Sequence, residues 1–211
     1  MNGHMKPADI EKRSFAIITE ELGGRTFPEG VAEVVKRVIH TSADFDYADN
    51  LCFSPDAVER AKAALEAGAT IVTDTNMALA GISKPTLAKL GGRAVCLMAD
   101  EDVAREAKAR GVTRATVSME HAAKLDGPLI FAIGNAPTAL IRLHELIGEG
   151  AVSPALVIGV PVGFVNVVES KELFIGGDTP YIIARGRKGG SNVAAAIVNA
   201  LLYQIVKREG F

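Results

Sequence analysis

In the run KRVIHTSADFDY, residues 36–47, an imidazole, a guanidinium and a carboxylate recur on one side of what reads as a helix. At about 100° per residue, Val31, Val34, Val35 and Val38 make an apolar stripe, while Arg37, His40 and Asp44 fall opposite it if the helix runs that far. His40 therefore points away from its own core. An imidazole changes charge near neutral pH and serves as a general acid or base, and a guanidinium grips a carboxylate through paired hydrogen bonds. Together they suit a ligand rich in carboxylates, with that ligand or a second subunit covering the face. The plain alternative is a solvated histidine on the outside of a helix, and spacing alone does not decide between the two.

Other residues offer binding chemistry. In the first helix, IEKRSFAIITEEL, Ser14 sits inside an apolar arc of Ile10, Ile17 and Ile18; its hydroxyl either bonds back to a carbonyl one turn earlier or is offered to a ligand. TDTNMALAGI, with Thr75 and Met77, GNAPTAL, with Asn135 and Pro137 opening a helix, and GRKGGSN, with Arg187, Lys188 and Ser191, each follow a strand-like run. N–H groups at a helix start beside positive charge bind anions, though ordinary turn and cap chemistry would produce similar loops. None fits GxxxxGK[ST], and GNAPTAL lacks the spacing of GxGxxG. GVPVGFVNVVESKELF is broken sharply by Pro161 and Gly163 and suits either a large planar ligand or another subunit, with Glu169 and Lys171 reading as a solvated pair. There is no Ser-His-Asp order, nucleophile elbow or HExxH, so no protein-bound metal is expected. Aromatics are 5% and interleave no basic patch, which argues against nucleic acid as a partner.

The elements that must carry these groups follow from periodicity. ATIVTD (69–74), RAVCLM (93–98), PLIFAIG (128–134), ALVIGV (155–160) and YIIARG (181–186) are unbroken apolar runs without polar alternation, the pattern of strands buried on both faces of a parallel sheet. Helical stretches separate them, with stop signals at Gly111, Gly148 and Gly210 and a last helix from Asn192. About 65 residues before the first run read as wholly helical, including SPDAVERAKAALEAG with Ser54 as N-cap and Pro55 at the first helical position. The expected architecture is α/β: a helical N-terminal lead-in to a doubly wound, flavodoxin-like, five-stranded parallel sheet, whose ligands sit beyond the carboxyl ends of the strands.

At 211 residues the chain suits one domain with a single sizeable core. Its 48% hydrophobic and 23% charged residues exclude a disordered class, and a net charge of -2 gives no overall attraction to nucleic acid or anionic membrane. Cys52 and Cys96 lack metal-ligand spacing and read as small buried hydrophobes. The start MNGHMKP has no apolar signal region; residues 1–6 read as a tail or cloning remnant, and His4 carries no chemical weight. The longest apolar stretch, from Val193, is interrupted by Asn199 and Gln204 and falls short of the roughly 20 residues a bilayer requires, so a cytoplasmic protein is expected.

Taken together, RSFAII, KRVIHTSADFDY, DTNMALAGI, GNAPTAL, GVPVGFV followed by ESKE, and GRKGGSNVAAAIVNALLY resemble the precorrin-8X methylmutase family, in order and spacing, from about residue 7 to 206. HTSADFD and DTNMALAGI are more similar to its cobalt-precorrin-8 branch. The resemblance implies a homodimeric flavodoxin-like isomerase that moves a methyl group from C-11 to C-12 of a corrin-forming tetrapyrrole without a cofactor, any cobalt belonging to the substrate. It also implies that His40 is the catalytic histidine and that Ser14, Arg37 and Arg114 contact the substrate. Thr75, Met77, Asn135, Lys188 and Ser191 join them as loop residues expected to bind. The Ala-rich final helix, with Ala194 to Ala196 and Ala200, is expected to permit close contact between subunits. A corrinoid carrier without turnover and a phosphoester-binding enzyme on the same fold stay open as alternatives.

Overall fold

The structure, a computed structural model, describes residues 6–207; His4 and the expected stop at Gly210 lie outside the described residues. The chain opens with helices α1 (Pro7–Glu21), α2 (Val31–Ser42) and α3 (Tyr47–Asn50), a short strand β1 (Leu51–Phe53) and helix α4 (Ala57–Glu66). Strands and helices then alternate: β2 (Thr70–Thr73), α5 (Asn76–Gly81), α6 (Lys84–Lys89), β3 (Arg93–Val95), α7 (Glu101–Arg110), α8 (Arg114–Ala122), β4 (Leu129–Ile133), α9 (Pro137–Gly148), β5 (Leu156–Gly159), α10 (Val167–Glu172), β6 (Tyr181–Ala184) and α11 (Ser191–Ile205). All five expected runs form strands. Every residue of β2, β4, β5 and β6 is buried, because helices cover both faces of the sheet and leave no wet side.

The sheet order is β1-β6-β5-β4-β2-β3. β2 to β6 pair in parallel, whereas β1 runs antiparallel along β6 with Cys52 opposite Ile183. The expected five-stranded parallel sheet is thus corrected to six strands of mixed direction. Three residues are too few for a period of two to register in the sequence, and they form a strand because the edge of β6 offers unpaired backbone groups. Ser54 continues that pairing: its N–H donates to the Tyr181 carbonyl at 3.0 Å and its hydroxyl accepts from the Tyr181 N–H at 2.9 Å. Ser54 is therefore not the cap of α4, whose N-cap is Asp56 in the left-handed region.

One face of the sheet packs on α2, α4 and α11, and the other on α8 and α9. In α2 the valine stripe is buried as its spacing requires, with Val34 and Val38 fully enclosed. Each such valine contributes up to about 1.5–3 kcal/mol. The helix stops at left-handed Ala43, so Asp44 stands off its end rather than on its outer face. Ala194, Ala195, Ala196 and Ala200 are buried within the chain, where α11 meets α2 and α5. Their small side chains serve an internal contact: a Cβ on Gly81 would stand 2.8 Å from that of Ala195. The expected subunit contact through these alanines is corrected accordingly. α7 ends at left-handed Gly111 as expected, whereas α9 runs through Gly148 and the left-handed glycine is Gly150. Cys52 and Cys96 are free and only half-buried. Among the described residues no helix is long and apolar enough to cross a membrane.

Counted in chain order, the five parallel strands lie 2-1-3-4-5, and the winding reverses between β2 and β4. In such sheets the loops beyond the two strands part and leave a crevice. Asp74 closes the base of that crevice. Fully buried, it accepts hydrogen bonds from the N–H groups of Gly134 (2.9 Å), Asn135 (2.8 Å) and Ala136 (2.6 Å), tying the end of β2 to the turn after β4. Burial pushes the Asp74 carboxyl up, and the three donors oppose that shift. Replacing Asp74 with Asn sets an NH2 donor against N–H donors. Asp74→Asn is expected to lower stability by about 1–3 kcal/mol, read as an earlier midpoint in urea. An unchanged midpoint would show that the bridge contributes nothing.

Candidate functional site

α1 crosses α2 on the side away from the valine stripe and supplies the surroundings of His40. The imidazole is exposed and stacks on the Phe15 ring, with centroids 5.2 Å apart and planes 24° from parallel. It lines a shallow cleft of about 230 Å³ together with Ser14, Ile17, Glu21 and Phe45. One turn back along α2, Arg37 lies over the same Phe15 ring at 4.6 Å and near the Tyr203 ring at 5.4 Å. Its guanidinium is paired with Glu11, and both side chains are more than four-fifths enclosed. Arg37 also lines a neighbouring groove of about 540 Å³ with Phe15, Lys36, Tyr203 and Lys207. His40 and Arg37 therefore flank one aromatic ring and open on adjoining clefts. The Ser14 hydroxyl donates to the Ile10 carbonyl at 3.1 Å, the back-bonded arrangement, while its oxygen remains at the His40 cleft.

A second group gathers at the carboxyl edge of the sheet. Thr75 caps α5, accepting from the Ala78 N–H at 3.0 Å, and its hydroxyl lies 2.8 Å from that of Ser191 at the start of α11. Asn135 is exposed just beyond the Asp74 bridge, and Met77 is 72% exposed on α5. Gly134 permits this gathering, because a Cβ there would come within 2.7 Å of the Ser191 Cα. After β5, Phe164 and Val165 are 83% and 77% exposed, with the Arg187 guanidinium 5.5 Å from the Phe164 ring. Phe164 and Val165 thus leave an uncovered apolar surface in the loop GVPVGFV.

Lys188 joins the two groups. Its ammonium sits 2.6 Å from carboxylate oxygens of both Asp44 and Asp46, just past the end of the helix bearing His40. The hydrogen bond to Lys188 pulls the Asp44 carboxyl down, and the two carboxylates push the ammonium up. Two cations expected to receive ligand carboxylates, Arg37 and Lys188, thus hold carboxylates of the chain itself. Arg114 differs: it is exposed at the first position of α8, on the opposite face of the sheet from α2, beside Thr113, whose hydroxyl caps the helix and donates to that of Thr138 on α9 at 3.1 Å. Within one chain it is not brought to His40.

Several residues here had no signal in spacing. Phe15 and Glu11 are paired with α2 only by the crossing of α1. Asp74 was legible to a stricter reading, since a carboxylate that closes an unbroken buried strand must find donors. Lys171 is a correction. Instead of a solvated partner for Glu169 it is fully buried, its ammonium donating to the carbonyls of Gly186 (2.8 Å) and Lys188 (2.9 Å), and burial pulls it down to about 8. Among the described residues no cluster of three or more His, Cys, Asp or Glu is placed to hold a metal ion.

The chain matches the model of the precorrin-8X methylmutase family over residues 9–204. It is 47% identical over 206 residues to the cobalt-precorrin-8 methylmutase of Salmonella typhimurium, covering 95% of this chain and 96% of that protein. To the cobalt-precorrin-8 methylmutase of Priestia megaterium it is 46% identical over 197 residues, covering 93% of this chain and 88% of the other. The crystal structure of precorrin-8x methyl mutase from Thermus thermophilus superimposes with a TM-score of 0.85 at 41% identity, covering 92% of this chain and 94% of that one. The matched span takes in α2, the Asp74 crevice and each loop beyond it, and on that extent the chain belongs to the precorrin-8X methylmutase family.

Proposed function

We propose that this protein is an isomerase of cobalamin biosynthesis that moves a methyl group from C-11 to C-12 of cobalt-precorrin-8, giving cobyrinate, with His40 as the proton donor. The family assignment supports the reaction class, and the two relatives named above, both cobalt-precorrin-8 methylmutases, favour the cobalt-containing substrate. The observation that carries the residue assignment is the position of His40, an exposed imidazole with one face held by Phe15 and an edge on the Ser14 cleft.

The chemistry requires little else. The methyl leaves C-11 and joins C-12 of the same ring while the double bonds move; nothing is oxidised or reduced, so the balance calls for no redox partner, and the proposal includes no cofactor. A donor hydrogen-bonded or protonating the conjugated macrocycle stabilises charge that develops during migration. Substrate carboxylates find Arg114, Asn135, Lys188, Ser191 and the neighbouring N–H groups, with Thr75 placing Ser191 and Met77 offering an apolar contact. At Arg37 and Lys188 a substrate carboxylate takes the place of Glu11 or of Asp44 and Asp46, exchanging one ion pair for another of like kind. That exchange favours selectivity over raw affinity, because the gain is only a difference between two pairs.

A homodimer belongs to the same proposal. Ile10 and Ile17 on α1 are 53% and 38% exposed, and Phe164 and Val165 stand uncovered at the sheet edge, so large apolar side chains remain to be buried around the site. A second chain there also offers a route by which Arg114 of one copy reaches the His40 cleft of the other. A cytoplasmic location accords with the proposed pathway.

Three outcomes follow. His40→Ala should lose turnover by about 100-fold or more while its affinity for the product, followed by the corrinoid absorbance, changes little. Near wild-type turnover would remove the acid role; equal losses of rate and product affinity would make His40 a positioning group. Wild-type product binding without any turnover would favour the carrier reading. Arg114→Ala should weaken product binding by about 1.5–3 kcal/mol, and Lys at that site should restore it only in part. Unchanged affinity returns Arg114 to the solvated surface. Sedimentation should give twice the 22.2 kDa chain mass for the active species; an active species that stays at one chain rules the dimer out.

A further inference from the structure

After β6 the chain runs through Arg185, Gly186, Arg187, Lys188, Gly189 and Gly190 before α11 begins, and three successive carbonyls of that loop accept hydrogen bonds from neighbouring segments. Those of Gly186 and Lys188 accept from the Lys171 ammonium at 2.8 and 2.9 Å, and that of Arg187 accepts from the Gly163 N–H at 3.2 Å. In a planar trans peptide the N–H lies opposite the C=O. The N–H groups of Arg187 and Gly189 are therefore directed away from the Lys171 ammonium. The loop also lies close against the end of β5: a Cβ on Gly189 would stand 2.0 Å from the Val160 carbonyl, and the Gly190 N–H donates to that same carbonyl at 2.8 Å.

An ammonium is an unusual choice for this interior place. It is a donor only, it is fully buried, and among the described residues no carboxylate pairs with it; its hydrogen bonds go to backbone carbonyls. A buried unpaired charge costs several kcal/mol where an apolar side chain would cost none, so packing alone does not account for it. What a long, donor-rich side chain does here is reach two carbonyls two residues apart and tie both to one point.

We infer that Lys171 is a positioning residue for substrate binding, holding the loop Gly186–Gly190 by the Gly186 and Lys188 carbonyls so that the N–H groups of Arg187 and Gly189, together with Lys188, meet a carboxylate of the macrocycle. The inference rests on the proposed role of the Lys188 loop. Lys171 itself touches no substrate, and its effect reaches the ligand only through the loop.

The test uses Lys171→Met, which keeps length and removes the donors, and Lys171→Gln, which keeps one donor group on a shorter side chain. Trypsin probes the loop directly, since Arg185, Arg187 and Lys188 are its cleavage sites. Expected results are faster cleavage at 185–188, read by mass spectrometry, with the remainder of the fold resistant; product affinity weakened about 10-fold in Lys171→Met; and turnover at saturating substrate nearly unchanged. Lys188→Ala should cost less in the Lys171→Met background than in wild type, a coupling that a purely structural lysine would not produce. Faster cleavage with unchanged product affinity overturns the positioning role and removes the loop from the binding site. Additive effects of the two substitutions, or failure of both Lys171 variants to fold, also overturn it. A wild-type protein that binds no product, by contrast, overturns the proposed function itself, whatever trypsin reports at the loop.

Discussion

The crevice beyond the sheet depends on one buried carboxylate. Asp74 follows β2 directly and accepts hydrogen bonds from three consecutive backbone N–H groups of the turn after β4, at the point where the winding of the sheet reverses. Parallel strands bring their carboxyl ends to a common edge, but they leave the loops there without ladder partners. A carboxylate that cannot reach water meets that deficit, taking donors that would otherwise be unsatisfied. With the turn held, Gly134 lets α11 approach, and Thr75 and Ser191 meet hydroxyl to hydroxyl. The positions of Asn135 and Ser191 are consequences of that bond set rather than of local preference.

Lys171 applies the same physics with the sign reversed. One loop is held by an anion that collects N–H groups, the other by a cation that collects carbonyls. Neither ion has a counter-ion as its principal partner, and both use backbone dipoles as solvent. Each is costly to bury and each orders more than one peptide group at once.

Around α2 the constraint is different. The helix must bury its valine stripe, which turns Arg37 and His40 outward, and α1 then sets an aromatic ring beside both and a carboxylate against Arg37. Phe15 restricts the imidazole on one face and the guanidinium above it, while Glu11 neutralises Arg37. Lys188 with Asp44 and Asp46 repeats the pattern at the helix end. Both cations are thus held in ion pairs with the chain's own carboxylates, which lowers the cost of keeping them part-enclosed.

Much of this was legible in the sequence. The buried strands announced themselves because helices on both faces demand unbroken apolar runs, the valine spacing of α2 set the outward direction of His40 before any coordinates, and left-handed Gly111 marked a helix end. β1 was not legible, because three residues carry no period, and Ser54 looked like a cap because the same hydroxyl that suits a helix start also suits an edge strand. Lys171 read as solvated since a lysine's type favours water; only the carbonyls of a loop some 15 residues on, brought beside it by the β5 and β6 pairing, make burial tolerable. The alanines of α11 likewise promised close contact without saying with what, and the fold assigned them to α2 and α5. Periodicity reports which way a side chain faces its own element, and that much the sequence determined alone; which groups lie opposite is a matter of long-range packing between segments distant in the chain, and only the tertiary structure decided it.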